Sequence, residues 1–584
     1  NPYWIQNRIN RTSNKKRYMM NASLKWQAAD WLNVVGRVNL DNSDYRNKNE
    51  KSASTLTTFC GVSGGFEDAM RQERSLYADF LANIDKTFGD FHLTANVGAS
   101  IYHTSMDQLY IAGDLVIPNF FQINNINFSA NYKPDPTGYE DEIQSIFASA
   151  ELSWKNQLYL TVTGRNDWDS KLAFSKQKSF FYPSVGLSAL LSEMVKLPEV
   201  ISYAKIRGSY TVVASSFDRF LTNPGYEYNS QTHNWANPTV YPMDNMKPEK
   251  TKSWEIGLNL KFWGNRFNLD ATYYRSNTLN QTFKVDIPSS SGYKQAIVQA
   301  GNVQNQGLEL ALGFNDKWAG FGWSSNATFT LNRNKVKRLA SGSVNPVTGE
   351  AIQMDEMNVG WLGKENVAPR VILTEGGSMT DIYVYNQLTK DNNGNIKVDQ
   401  NGNLGITSSN TPVKVGNLDA DFNLGWTNHF TYKGIDLGVV LSARVGGLAY
   451  SATQGILDYY GVSETSATAR DNGGIPINNG KVNAQKYYQT IGTGEGGYGR
   501  YYLYSATNVR LQELSLNYTL PKRWFKNVAN VTLGIVGRNL WMIYCKAPFD
   551  PELSASTSSN YYMNVDYFMQ PSLRNFGFNV KVQF

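Results

Sequence analysis

Trp254-Glu255-Ile256-Gly257-Leu258-Asn259-Leu260-Lys261-Phe262 alternates without a break: Trp254, Ile256, Leu258, Leu260 and Phe262 on one side, Glu255, Gly257, Asn259 and Lys261 on the other. A period of two means an extended strand with one apolar and one wet face. After the turn Trp263-Gly264-Asn265-Arg266 the pattern resumes as Phe267, Leu269, Ala271 and Tyr273 opposite Asn268, Asp270 and Thr272. The two runs make a hairpin.

The same unit recurs along the chain. Leu76, Ala78, Phe80, Ala82 and Ile84 lead into Phe88-Gly89-Asp90-Phe91, and Leu93, Ala95 and Val97 lead out. Ile146, Ala148, Ala150 and Leu152 precede Lys155-Asn156, with Leu158, Leu160, Val162 and Gly164 after it. Similar hairpins fold about Asp316 to Gly320 and about Lys433-Gly434. In all, about seventeen such runs appear, each near the ~9–11 residues of a tilted membrane-crossing strand.

Connections alternate between two classes. Tight turns fall near residues 28, 89, 155, 196, 264, 318, 433 and 525. Long polar segments fall near 46 to 70, 104 to 140, 169 to 178, 214 to 250, 278 to 296, 339 to 420, 447 to 505 and 543 to 570. Short on one side and long on the other is the habit of an outer-membrane barrel. Trp26, Trp31, Trp154, Trp263, Trp318, Trp323 and Trp524, half of the fourteen tryptophans, lie beside short turns. Indole suits a water–lipid boundary because it is apolar with one polar handle. The predicted fold is therefore all-β, a transmembrane antiparallel β-barrel with long extracellular loops and short periplasmic turns.

The chain ends on Phe576, Phe578, Val580, Val582 and Phe584, alternating with Gly577, Asn579, Lys581 and Gln583. This reads as a barrel-closing strand, which needs a partner because a long apolar edge otherwise aggregates. If that strand runs down to the periplasm, the strand near Tyr18 to Trp26 runs down as well. A barrel of even strand number starts upward, so an odd number of strands is expected upstream.

Composition narrows the class further. Of 584 residues, 41% are hydrophobic, 13% aromatic and 18% charged, and the formal net charge is +6. High aromatic and low charge content excludes intrinsic disorder, and so weak a positive bias makes no case for nucleic acid. Cys60 and Cys545 form no disulfide framework or zinc site by themselves. No run of ~18 apolar residues offers a membrane helix. Asn1-Pro2-Tyr3-Trp4 does not resemble a signal peptide, so the chain is either mature or a piece of something longer.

Several segments resemble the SusC/RagA family of TonB-dependent outer-membrane transporters of Bacteroidetes. They are Asn508-Val509-Arg510-Leu511 through Leu514-Ser515-Leu516-Asn517-Tyr518-Thr519-Leu520-Pro521, and Gly537-Arg538-Asn539-Leu540 followed by Phe549-Asp550-Pro551-Glu552. Gly301-Asn302-Val303-Gln304-Asn305-Gln306-Gly307-Leu308-Glu309-Leu310, Lys247-Pro248-Glu249 through Trp254-Glu255, and Phe181-Tyr182-Pro183-Ser184-Val185 match in the same order. The resemblance implies a barrel of about 22 strands, hence about five strands and a plug domain outside this sequence. It implies active import of a large nutrient in the outer membrane, an oligosaccharide first and an oligopeptide second. It implies a SusD-like surface lipoprotein as lid, the TonB complex reached through the absent N-terminal region, and a dimer of transporter–lid pairs. A soluble all-β glycan-binding protein is the rival from another class.

No residues are expected to be catalytic and no cofactor is expected. Gly492-Thr493-Gly494-Glu495-Gly496-Gly497 contains a G-x-G-x-x-G spacing, but no strand leads into it and no helix follows, so it reads as a flexible loop. Asp391-Asn392-Asn393-Gly394-Asn395 through Asp399 resembles a calcium loop, yet Ile396 stands where glycine is needed and Gly402 where the bidentate glutamate belongs. A hairpin turn is expected there, and no metal site. His92, His103, His233 and His429 lie far apart, and Asp167 with Asp169 is expected to face the lumen. Candidate substrate-binding residues are the loop aromatics Tyr226, Tyr228, Trp235, Tyr241, Tyr459, Tyr460, Tyr487 and Tyr498, in company with Tyr561, Tyr562, Tyr567 and Phe568. Flat rings beside Asn, Asp and Arg suit sugar stacking, and suit peptides too. The 339 to 420 segment is expected to form hairpins above the membrane that help to hold a lid.

Overall fold

The computed structural model describes residues 2–128, 134–223, 225–229, 234–243, 246–340, 344–345, 347–352, 354–553 and 564–584. Seventeen long strands form one antiparallel meander, each paired with its neighbours in sequence order. They are β1 Ile9–Ala29, β2 Leu32–Lys51, β3 Gly65–Phe88, β4 Phe91–Asp114, β5 Asp135–Trp154, β6 Leu158–Asp169, β7 Phe180–Leu190 and β8 Ile201–Ser215. Then come β9 Glu249–Phe262, β10 Phe267–Asp286, β11 Gln295–Trp318, β12 Phe321–Arg338, β13 Phe422–Tyr432, β14 Ile435–Val445, β15 Asn508–Thr519, β16 Asn530–Cys545 and β17 Asn575–Gln583. A two-residue segment, Val240–Tyr241, adds to β11 in parallel. The expected strand number is observed, and short and long connections alternate except that the tight turns expected near 196 and 525 are ten-residue connections, 191–200 and 520–529, as long as the 170–179 loop.

One face of this wall is greasy and open. Register places Val38 opposite Ala78 and Ala78 opposite Ile101, on a surface shared with Phe80, Ile146, Leu187 and Ile535. Phe80 is 56% exposed and Ile535 61%. In water such a patch would drive association. In hydrocarbon it is solvated by lipid, while every backbone N–H and C=O inside the sheet stays paired across strands. The band ends abruptly: above Leu40 and Leu76 the outward positions become Asn42, Asp44 and Arg46 on β2 and Arg74 and Asp68 on β3, and Arg46 pairs with Asp68 at 2.8 Å.

The opposite face is polar and cross-linked. Arg37 makes a bidentate contact with Asp79 (3.0 and 2.8 Å). Arg165 binds Asp167 at 2.7 Å, Tyr182 OH donates to Asp167 at 2.6 Å, and Arg207 reaches Asp270 at 3.1 Å. Asp167 and Asp169 are both buried among such partners: Ser216 Oγ donates to Asp169, which also caps Lys171 N at 2.9 Å. Ion pairs along a lumen hold charges in fixed places while leaving the bore wet.

At the short-turn end the rings form a belt. Phe262, Trp263, Phe267, Phe314, Trp318, Phe321, Trp323 and Phe430 are linked in one chain of ring contacts between 4.7 and 6.4 Å. Lys86 sits over Trp31 and Lys155 over Trp154 at 5.3 and 5.1 Å, amines resting on rings at the boundary. The turns themselves take left-handed backbone; Lys433 and Gly434 have φ of 46° and 87°, the positive pair that a two-residue hairpin needs.

Two expectations need correction. Strands were expected at bilayer length, yet β3, β4 and β11 each run 24 residues. Strand thus takes up about half of each of the segments 46 to 70, 104 to 140 and 278 to 296, and among the described residues 52–64, 115–128 with 134, and 287–294 are left as connections. Polar outward residues above the band hide the continuation from a search for apolar alternation. At ~3.3 Å per residue 24 residues measure roughly 80 Å, far more than a ~25 Å apolar band requires. Among the described residues β1 and β17 are not paired with each other, and each leaves one edge open. Phe576, Phe578, Val580, Val582 and Phe584 stand exposed on β17 and beside it, up to 94% at Phe584.

Replacing Ile256, on the greasy face, by Arg is expected to cost about 2–4 kcal/mol of barrel stability in lipid vesicles, measured by denaturant unfolding. Ser209→Lys, on the polar face opposite Glu255, is expected to change it by less than about 1 kcal/mol.

Candidate ligand-binding loops

The main dry core lies above the lipid band, among the loops. Upper parts of β10, β11 and β12 give it Phe283, Val298, Val303 and Val336, and the connections add Leu362, Val371, Ile382, Leu418, Tyr450, Ile491, Tyr502 and Val565. The 339–421 connection builds a four-stranded antiparallel sheet from Glu356–Trp361, Arg370–Thr374, Asp381–Leu388 and Ile406–Asn417. Ile382, Val384 and Leu388 alternate inward on its third strand. The hairpins expected here are present.

Between its last two strands sit two matching turns. Asp391 accepts from Asn393 N and Asn395 N at 2.8 and 2.9 Å, and Asp399 from Asn401 N and Asn403 N at 2.9 and 2.7 Å. Backbone amides, Asn395 N foremost at Asp391 and Asn403 N at Asp399, pull both carboxyls below their usual range. Carboxylates already occupied by amides act as turn formers. Among the described residues no group of three His, Cys, Asp or Glu is placed to hold a metal ion.

The 446–507 connection folds as three short helices, Ala452–Tyr459, Glu464–Asp471 and Ala484–Gly492. Ser451, Ser463 and Asn483 cap them by accepting from Gln454 N, Ser466 N and Gln485 N. The first and third helices meet where Gly455 and Gly492 leave no room for a side chain: a Cβ on Gly492 would lie 2.6 Å from Gly455 O. The glycine-rich run after them is packed, contrary to expectation, because Tyr450 OH donates to the carbonyls of Gly496 and Gly497, both at 2.9 Å. A helix leads into it instead of following it.

Asp458 ties this unit together. It is buried, and its carboxylate accepts from Ser463 Oγ, Thr465 Oγ1 (2.8 Å), Gln454 Nε2 (2.9 Å) and Tyr502 OH (3.1 Å), with no cation paired to it among the described residues. Four neutral donors replace its water. Burial raises the phenols around it: Tyr487 and Tyr504 are pushed up to about 12, and Tyr502 and Tyr450 further.

A second clasp joins two stretches far apart in sequence. Arg510, at the top of β15, grips Asp550 with both Nη atoms and lies 3.4 Å from Glu552, while Asn508 Nδ2 donates to Glu552 at 3.1 Å. Burial alone would raise the Asp550 pKa, but the bonds from Arg510 and Ser572 hold it below the usual range.

The candidate aromatics fall into two groups. Tyr226, Tyr228, Trp235 and Tyr460 are exposed, with Tyr228 and Trp235 paired at 5.1 Å across a small hairpin. Tyr241 packs edge-on to Tyr293, Tyr487 to Tyr488, and Tyr498 is half-buried, its N–H donating to Ile491 O. Tyr459 meets Tyr460 at 5.1 Å. Tyr459, Tyr460 and Tyr488 line one cavity of about 410 Å³ together with Arg470. Tyr567 and Phe568 are exposed; His233, Tyr561 and Tyr562 lie outside the described residues. Sequence reading missed Asp458, Arg470 and the Arg510–Asp550 pair as interacting groups. The pair lies in two stretches that resemble family segments, 40 positions apart, and nothing in one dimension says that they touch.

Residues 1–540 match the family described as TonB dependent receptor-like, beta-barrel. The chain belongs to this family. TonB-dependent receptor P3 of Formosa agariphila is 24% identical over 570 residues, covering 91% of this chain and 54% of that protein. TonB-dependent receptor SusC of Bacteroides thetaiotaomicron is 25% identical over 452 residues, covering 73% and 43%. The chain thus spans about half the length of the relatives it matches. Among solved structures, the RagAB peptide transporter superposes with a TM-score of 0.78 at 16% identity, over 100% of this chain and 63% of that one. That likeness shows the fold.

Arg510→Ala leaves Asp550 as an uncompensated buried charge, a change that costs about 3–5 kcal/mol. The expected outcome is protease cleavage in the 546–574 connection with the barrel intact. The depressed Asp550 carboxyl contributes stability above its unfolded pKa of about 3.9, lost as pH falls through the lower folded value. Cleavage of wild type is therefore expected to rise only below pH ~4, whereas Arg510→Ala is cleaved at neutral pH.

Proposed function

We propose that this chain is the greater part of the barrel of an outer-membrane importer for a nutrient too large to diffuse through porins, most readily an oligosaccharide. Strands outside this chain bridge the open edges of β1 and β17, and a plug domain outside it fills the bore. A SusD-like lipoprotein closes over the loops, TonB supplies inner-membrane energy through the plug, and two transporter–lid pairs associate. The barrel contributes scaffold, polar lumen and loop contacts, with no covalent chemistry.

The observation that carries this reading is the pairing of a lipid-facing band with a charged lumen on the same strands, crowned by a folded loop unit that leaves Tyr226, Tyr228, Trp235 and Tyr460 open to solvent. A soluble glycan-binding protein has no use for the band. Oligopeptide is the second reading, favoured by the solved relative named as a peptide transporter.

A strain lacking the gene, complemented with the full-length protein, is expected to regain growth on an oligosaccharide as sole carbon source. Trp235→Ala with Tyr228→Ala is expected to raise the concentration needed by roughly tenfold, about 1–2 kcal/mol of lost stacking. Growth restored on peptides alone would reassign the cargo, and growth restored on neither would refute import.

A further inference from the structure

We infer that the cavity between the three helices of the 446–507 connection is a specificity subsite for a carboxylate-bearing sugar unit of the cargo, with Arg470 recognising the carboxylate. The inference rests on the import reading and adds the chemical class of what is imported.

Tyr459 and Tyr460, at the end of the first helix, hold their rings at 89° to each other and form a two-walled apolar corner. Gln485, Tyr488 and Gln489 come from the third helix, where spacings of three and four put them on one face. The space of about 410 Å³ lies within the ~300–1,000 Å³ usual for small-ligand sites. Its polar lining is selective. Asp458 at the base has both carboxylate oxygens engaged by Ser463, Thr465, Gln454 and Tyr502. Arg470, from the second helix, is exposed, donates from Nη1 to Gly461 O at 2.8 Å, and pairs with no carboxylate among the described residues. A guanidinium carries five donors, so a fork remains to take a carboxylate in the bidentate manner.

The walls favour a sugar over a peptide. Three phenol rings accept the flat face of a pyranose, and two glutamine amides exchange hydrogen bonds with hydroxyls. The three helices offer no open strand edge, so one of the ways of holding an extended peptide, backbone pairing, is closed to this cavity.

The test is calorimetry on the purified full-length transporter with its natural lid, using trigalacturonate, its methyl ester and a tripeptide acid as probes. Wild type is expected to bind trigalacturonate at least about tenfold more tightly than the ester, the worth of one charge-assisted bond. Arg470→Gln is expected to remove that preference and Arg470→Lys to restore part of it. Tyr460→Ala is expected to weaken acid and ester equally, a readout available even if the arginine variants fail to fold. Equal binding of acid and ester, a preference that survives Arg470→Gln, binding of the tripeptide acid alone, or no effect of Tyr460→Ala would each overturn the subsite. Uptake of some other oligosaccharide by whole cells in any of those cases would leave the import reading standing.

Discussion

The structure depends on one constraint: a backbone inside hydrocarbon must find every hydrogen-bond partner within the protein. A sheet meets it by pairing each strand with two neighbours, and the pleat then sends successive side chains to opposite sides. One strand can therefore face lipid through Ile256 and Leu258 and water through Glu255 and Asn259. The lumen pairs Arg37–Asp79 and Arg165–Asp167 follow from the same geometry, since residues opposite each other in register, or two apart on one strand, share a face.

This wall cannot supply a core of its own, because one side is lipid and the other is bore. Tertiary packing is displaced upward, where the strand tops of β10 to β12 and two long connections enclose Val336, Ile382, Tyr450 and Tyr502. There the organising groups are polar. Asp458 is held by hydroxyls and an amide in place of a cation, which fixes the angle between the first two helices without introducing a second buried charge.

The barrel was legible in the sequence because its code is local: a period of two, a tight turn, an aromatic at the rim. Trp263 and Trp318 could be placed at the boundary from their neighbours alone. The strand continuations were not legible, since past Leu76 the outward positions turn to Arg74, Gln72, Met70 and Asp68, and with one apolar residue in four the contrast between faces fades. The loop unit was least legible. Tyr460 and Tyr487 look alike in sequence, yet one ring is open to solvent and the other rests on the core, a difference made by helices whose packing depends on Gly455 meeting Gly492. Arg510 and Asp550 stand 40 positions apart in two separate motifs, and their contact is a fact of three dimensions only.

The length of β3 has a further meaning. From Leu76 to Gly65 the strand climbs for eleven more positions, which at ~3.3 Å each and a tilt near 40° lifts the mouth about 30 Å clear of the bilayer surface. Anything that reaches the loop unit from the lipid surface has to cover that height with its own folded body, with an extended segment at ~3.3 Å per residue, or with both. The palisade thus keeps the loop unit out of reach of the headgroups themselves.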